Sequence, residues 1–86
     1  MNEISTKILQ KLYSLSVQPE VNFTISIKSM SENIGCNYET ADNTLVELEN
    51  ERYIDTFRSS HDVARLFGIR LTKKGFDYSV EQGWQN

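Results

Sequence analysis

Residues 26–53 read SIKSMSENIGCNYETADNTLVELENERY. Ser26 is a helix N-cap candidate, and Ile27, Met30 and Ile34 fall on one face of the helix it would start, over 27–34. Gly35 ends that helix, since glycine accepts the left-handed backbone of a helix exit. Asn37 is a second N-cap, and the helix after it runs from Tyr38 to about Asn50. Ala41, Leu45 and Leu48 share its narrow apolar face. Glu39, Thr40, Asn43, Glu47 and Asn50 point the other way, with Val46 near the edge. Two helices are thus joined through Gly35-Cys36-Asn37, the spacing of a helix-turn-helix.

On the N-terminal side, Ile4, Ile8, Leu9, Leu12 and Leu15 form one stripe at helical period, which predicts a helix over 3–15 capped by Asn2 or Ser5. Pro19 stops its propagation. Val21, Phe23, Ile25 and Ile27 then alternate with polar residues, and a short strand is expected over 23–25. On the C-terminal side the period changes at Tyr53. Residues 53–57 and 66–71 read as two strands of an antiparallel hairpin, with the polar stretch 58–64 as a projecting tip. Thr72 caps a last helix over about 73–82, with Phe76 and Val80 as inward anchors and Trp84 covering its end. Gly75 inside that helix costs about 1 kcal/mol relative to alanine.

The chain has 86 residues, which suits one small domain over 1–86, and 38% of them are hydrophobic, too many for a disordered chain. No apolar run approaches the roughly 18 residues of a membrane span, and no basic stretch leads into a hydrophobic one as a secretory signal would. One cysteine and one histidine exclude an intramolecular disulfide and an ordinary Cys/His zinc knuckle within the chain. A reducing, cytoplasmic setting is expected. Cys36 has no base near it in sequence, Glu47, Glu49 and Glu51 do not converge on one point, and no glycine-rich loop follows a strand. No enzyme activity, catalytic residue, metal or cofactor is therefore expected.

The order helix, strand, helix, helix, strand, loop, strand, helix resembles the winged helix-turn-helix proteins. The stretches that carry the likeness are 27–35, 45–54 (Leu45-Val46-Glu47-Leu48-Glu49-Asn50-Glu51-Arg52-Tyr53-Ile54) and 71–75 (Leu71-Thr72-Lys73-Lys74-Gly75). The chain also resembles the small YjcQ-like group of bacterial and phage winged helix proteins. The resemblance implies an α+β fold: a three-helix core with a small antiparallel hairpin and a C-terminal helix. It implies a non-catalytic, DNA-binding transcriptional regulator, with double-stranded DNA as partner and a homodimer formed through the terminal helices.

In that reading Tyr38, Thr40 and Asn43 approach bases, while Lys28, Arg58 and Arg65 hold phosphates. Asn43 suits adenine, Glu39 a cytosine amine, and Thr40 a methyl or phosphate. Charge runs against it. The formal net charge is −3, and the second helix of the pair has five acidic residues and no basic one from 38 through 51. An alternative is a protein-interaction module whose acidic helix 38–51 docks a basic partner. Tyr38, Tyr78 and Trp84 are too many large aromatics for the inside of so small a core, so some of them are expected at the surface.

Overall fold

A computed structural model describes residues 1–16, 18–58 and 66–84. The elements follow in the order α1 (Glu3–Leu15), β1 (Phe23–Ser26), α2 (Ile27–Ile34), α3 (Tyr38–Asn50), β2 (Ile54–Arg58), β3 (Leu66–Leu71) and α4 (Lys73–Glu81). Each helix begins at the cap residue its sequence offers. The side chains of Asn2, Ser26, Asn37 and Thr72 accept from the backbone N–H three residues on, which satisfies donors the helix itself leaves unpaired. Gly35 closes α2 at φ 83°, in the left-handed region.

The sheet has three antiparallel strands in the order β1-β3-β2. The expected hairpin is its β2–β3 half, and β1 adds on the far side of β3. Register places Phe23 opposite Ile69 and Ile25 opposite Phe67, and Ile54 opposite Leu71 and Thr56 opposite Ile69. Because side chains alternate along a strand, Ile25, Ile54, Ile69 and Leu71 all reach the inner face. There they join Ile8, Leu9, Leu12, Met30, Leu45 and Leu48 in one core.

Two expectations about this packing need correction, and a third gains its reason. Leu15 is exposed, and Tyr13 takes the inward place near the end of α1, its ring edge-on to Phe76 with centroids 5.1 Å apart. Val80 is 53% exposed and anchors nothing, while Ser79 is fully buried in the same helix. Gly75 is also buried, because α4 lies directly on the turn that leaves α3. A Cβ built at Gly75 would overlap the Tyr53 carbonyl oxygen. The helix therefore packs by its small residues, and the propensity cost of Gly75 is the condition of that approach.

The ends of α3 and α4 repeat one motif with different residues. After α3, Tyr53 N–H donates to Leu48 C=O and Arg52 N–H to Glu49 C=O; after α4, Trp84 N–H donates to Ser79 C=O and Gly83 N–H to Val80 C=O. Both are Schellman endings, which place one residue in the left-handed region. That residue is Gly83 (φ 75°) after α4 but Arg52 (φ 66°) after α3. A side chain there is strained by contact of its Cβ with the backbone. Arg52→Gly is expected to stabilise the fold by about 0.5–1 kcal/mol, less than the full strain because glycine also frees the unfolded chain. A lower denaturant midpoint in the variant would show that the arginine side chain holds this turn instead.

Candidate nucleic-acid interface

The inner side of α3 is closed by Ala41, Thr44, Leu45 and Leu48, all buried. Its outer side is open: Tyr38, Glu39, Asn43, Val46, Glu47 and Asn50 all reach solvent. At 3.6 residues per turn, Glu39, Asn43, Val46 and Asn50 fall on one stripe down the middle of that side. Thr40 lies at its edge, half-buried, with its N–H bound to the Asn37 cap (2.8 Å) and its carbonyl accepting from Thr44 Oγ1 (2.8 Å). Tyr38 flanks the stripe at the start of the helix.

Register locates the basic residues relative to the hairpin. β1 ends at Ser26 opposite Leu66, and β2 ends at Arg58 opposite Phe67. Strand ends and helix start therefore meet at one end of the sheet, where β2 ends and β3 begins. Lys28, exposed in the first turn of α2, and the Arg58 backbone share that end. Arg65, with the rest of the tip, and the expected closeness of Arg58 to Arg65 lie outside the described residues.

Two contacts that sequence reasoning missed hold α3 against its neighbours. The Glu49 carboxylate accepts from Thr56 N–H (3.0 Å) and from Thr56 Oγ1 (2.8 Å), both part-buried bonds. This joins the last turns of α3 to the free edge of β2. The other contact closes the C-terminal end of α3, whose last turn carries no base of its own. Lys74 Nζ, from α4, donates to Glu51 C=O (2.8 Å) and lies 4.5 Å from the centre of the Tyr53 ring. Thr72 Oγ1 donates to Arg52 C=O (2.6 Å) beside it. A cation at this position complements the helix dipole. Aromatics meet here as well: Tyr78 packs against both Tyr53 (5.3 Å between centroids) and Trp84 (5.8 Å), and Trp84 covers the end of α4 as expected.

Three ion pairs among the described residues are local. Lys73 bridges Asp77 and Lys7 bridges Glu3, each one turn apart, and Arg70 bridges Asp55 across the β2–β3 pair. Among the described residues no group of three or more His, Cys, Asp or Glu side chains is placed to hold a metal ion. No helix among them is long and apolar enough to cross a membrane.

A helix pair backed by α1, a three-stranded antiparallel sheet, and a last helix resting on α1 and on the turn after α3 together define the architecture. The fold is a winged helix. Solved structures share it over nearly the whole chain. A mutant of ZitR from Lactococcus lactis superposes with a TM-score of 0.72 at 17% identity, covering 96% of this chain and 51% of that one. NMB1585, a MarR family regulator from Neisseria meningitidis, gives 0.72 at 16% identity, covering 96% and 53%. The apo form of the ZitR mutant gives 0.71 at 17%, covering 95% and 55%. The chain spans about half the length of these winged helix neighbours. No family model matches the sequence, and no curated protein sequence matches it.

Proposed function

We propose that this winged helix is a non-catalytic DNA-binding module of a transcriptional regulator. The observation that carries the reading is the open outer stripe of α3, held by the helix pair on one side and tied to the first hairpin strand on the other. An α-helix presented in this way fits the major groove. In this reading Tyr38, Thr40 and Asn43 face bases, and Lys28, Arg58 and Arg65 hold phosphates. NMB1585, by its description a regulator, supports the reading through shared fold. Our proposal extends to one domain over residues 1–86, a homodimer formed through α1 and α4, a cytoplasmic setting, and kinship with the bacterial and phage YjcQ-like group.

A second reading follows from the charge of the same stripe. Glu39 on the stripe and Glu47 beside it are exposed, and α3 offers no Lys or Arg, so the face also suits a basic protein partner. One titration separates the two. Mixed-sequence duplex DNA is titrated at about 50 mM salt and again at higher salt, with the wild type and with Glu39→Lys and Glu47→Lys. Binding that weakens as salt rises, and strengthens in the variants, is expected for a DNA module. No binding up to the solubility limit overturns the DNA reading, and loss of a copurifying protein from the variants supports the docking one.

A further inference from the structure

Resting on the DNA reading, we infer that α3 selects amino and methyl groups of the major groove and does not read guanine: Glu39 takes a cytosine amine, Asn43 an adenine, and Val46 a thymine methyl. The argument begins with what the helix lacks. The commonest specific contact to a base is Arg or Lys on the O6 and N7 acceptors of guanine. Neither residue occurs from 38 through 51. What stands on the outer stripe is Glu39, Asn43, Val46 and Asn50.

Each of the first three has a restricted partner. A carboxylate only accepts hydrogen bonds, so Glu39 is attracted to the exocyclic amine of cytosine and repelled by the acceptor edge of guanine. The Asn43 amide both donates and accepts, which matches the N7 and N6 amine of adenine. Val46, 41% exposed among polar neighbours, offers methyl groups to the methyl of thymine. Neither Glu39 nor Asn43 is held by core packing, so both are available at the surface of a rigid helix.

Spacing sets the order of the sites. Glu39 and Asn43 are one turn apart, roughly 6 Å along the axis, and Val46 is about 4.5 Å further on. With base pairs about 3.4 Å apart along the duplex, Glu39 and Asn43 address pairs roughly two steps apart, and Val46 the next pair or the one after. The carboxylates on α3 lower affinity against phosphate, so the holding charge comes from the hairpin end of the sheet, where Lys28 stands. Affinity and selectivity are then located on different elements.

The test is selection of bound duplexes from a random library by the wild type, Glu39→Gln and Asn43→Ala. Both side chains are exposed, so the variants fold, and circular dichroism checks this. The wild type is expected to enrich a G·C pair and an A·T pair about two steps apart. Glu39→Gln should change only the first, toward adenine, since glutamine suits adenine's edge. Asn43→Ala should relax only the second, reducing discrimination there roughly tenfold or more. If both variants keep the wild-type preferences, or if Glu39→Gln changes an A·T position, the inference is overturned while the DNA reading stands. If no duplex is retained by any of the three proteins at low salt, both fall.

Discussion

Gly75→Ala should destabilise the protein by roughly 3 kcal/mol, enough to leave much of a small domain's population unfolded. Two effects oppose one another. Alanine is favoured over glycine in a helix by about 1 kcal/mol. Against that, the new methyl would overlap the Tyr53 carbonyl oxygen and stand 3.2 Å from a Leu71 methyl. The first neighbour is backbone, held by the N–H of Thr72 (3.1 Å), and cannot rotate away. Relief requires α4 to move by roughly an ångström, which breaks the Thr72 and Lys74 bonds to the turn and unpacks Tyr53 from Tyr78. The clash therefore outweighs the propensity gain. Gly83→Ala is the matched control: nothing lies within 4 Å of its Cβ position, and only its left-handed backbone is strained, for about 1–2 kcal/mol. Urea midpoints measure both. A Gly75→Ala midpoint at or above wild type would mean that α4 does not rest on Tyr53.

The second large effect is expected at Leu45. It is fully buried on the inner side of α3, in the core, and Leu45→Ala should cost about 2–5 kcal/mol through lost burial and the cavity left behind. Leu48 is a weaker site despite similar burial. It borders an open cavity of about 350 Å³ between the start of α1, the end of α3 and Tyr78, so shortening it widens a space open to water and leaves less of a sealed void. The order of midpoints should be Leu45→Ala below Leu48→Ala, with Asn43→Ala close to wild type because its side chain lies outside the core. An Asn43→Ala midpoint as low as that of Leu45→Ala would show that the phase of α3 is wrong.

That phase is legible in the amino-acid sequence because α3 carries both signals a helix can display: Asn37 marks its start, and Ala41, Leu45 and Leu48 mark its inner side. The same holds for α2 between Ser26 and Gly35. The inner side of α4 is legible in this way only at Phe76, which packs against the core as expected. Gly75 and Ser79, one turn apart, face inward through being small, whereas a hydrophobic pattern weighs apolar residues and points to Val80. Tyr13 ranks behind Leu15 for a related reason: an aromatic with a polar tip scores below leucine, although its ring fills the gap beside Phe76. At the candidate interface, the stripe of Glu39, Asn43 and Val46 follows from the helical wheel. The bond from Thr56 to Glu49 does not, since it depends on how close the sheet edge comes to α3. Nothing in a run of glutamates separates the one that faces β2 from those that face water.

The Glu49 contact bears on what kind of duplex the winged helix would accept. A carboxylate that takes both the N–H and the hydroxyl of Thr56 sets the angle between α3 and the first hairpin strand in the free protein. On the DNA reading, those two bonds resist a change of that angle, and more of the fit falls to the duplex. Duplexes that bend or narrow easily would bind with less distortion energy than stiff ones carrying the same contacted bases. Flanking sequence that the side chains never touch would thus enter the affinity through mechanics.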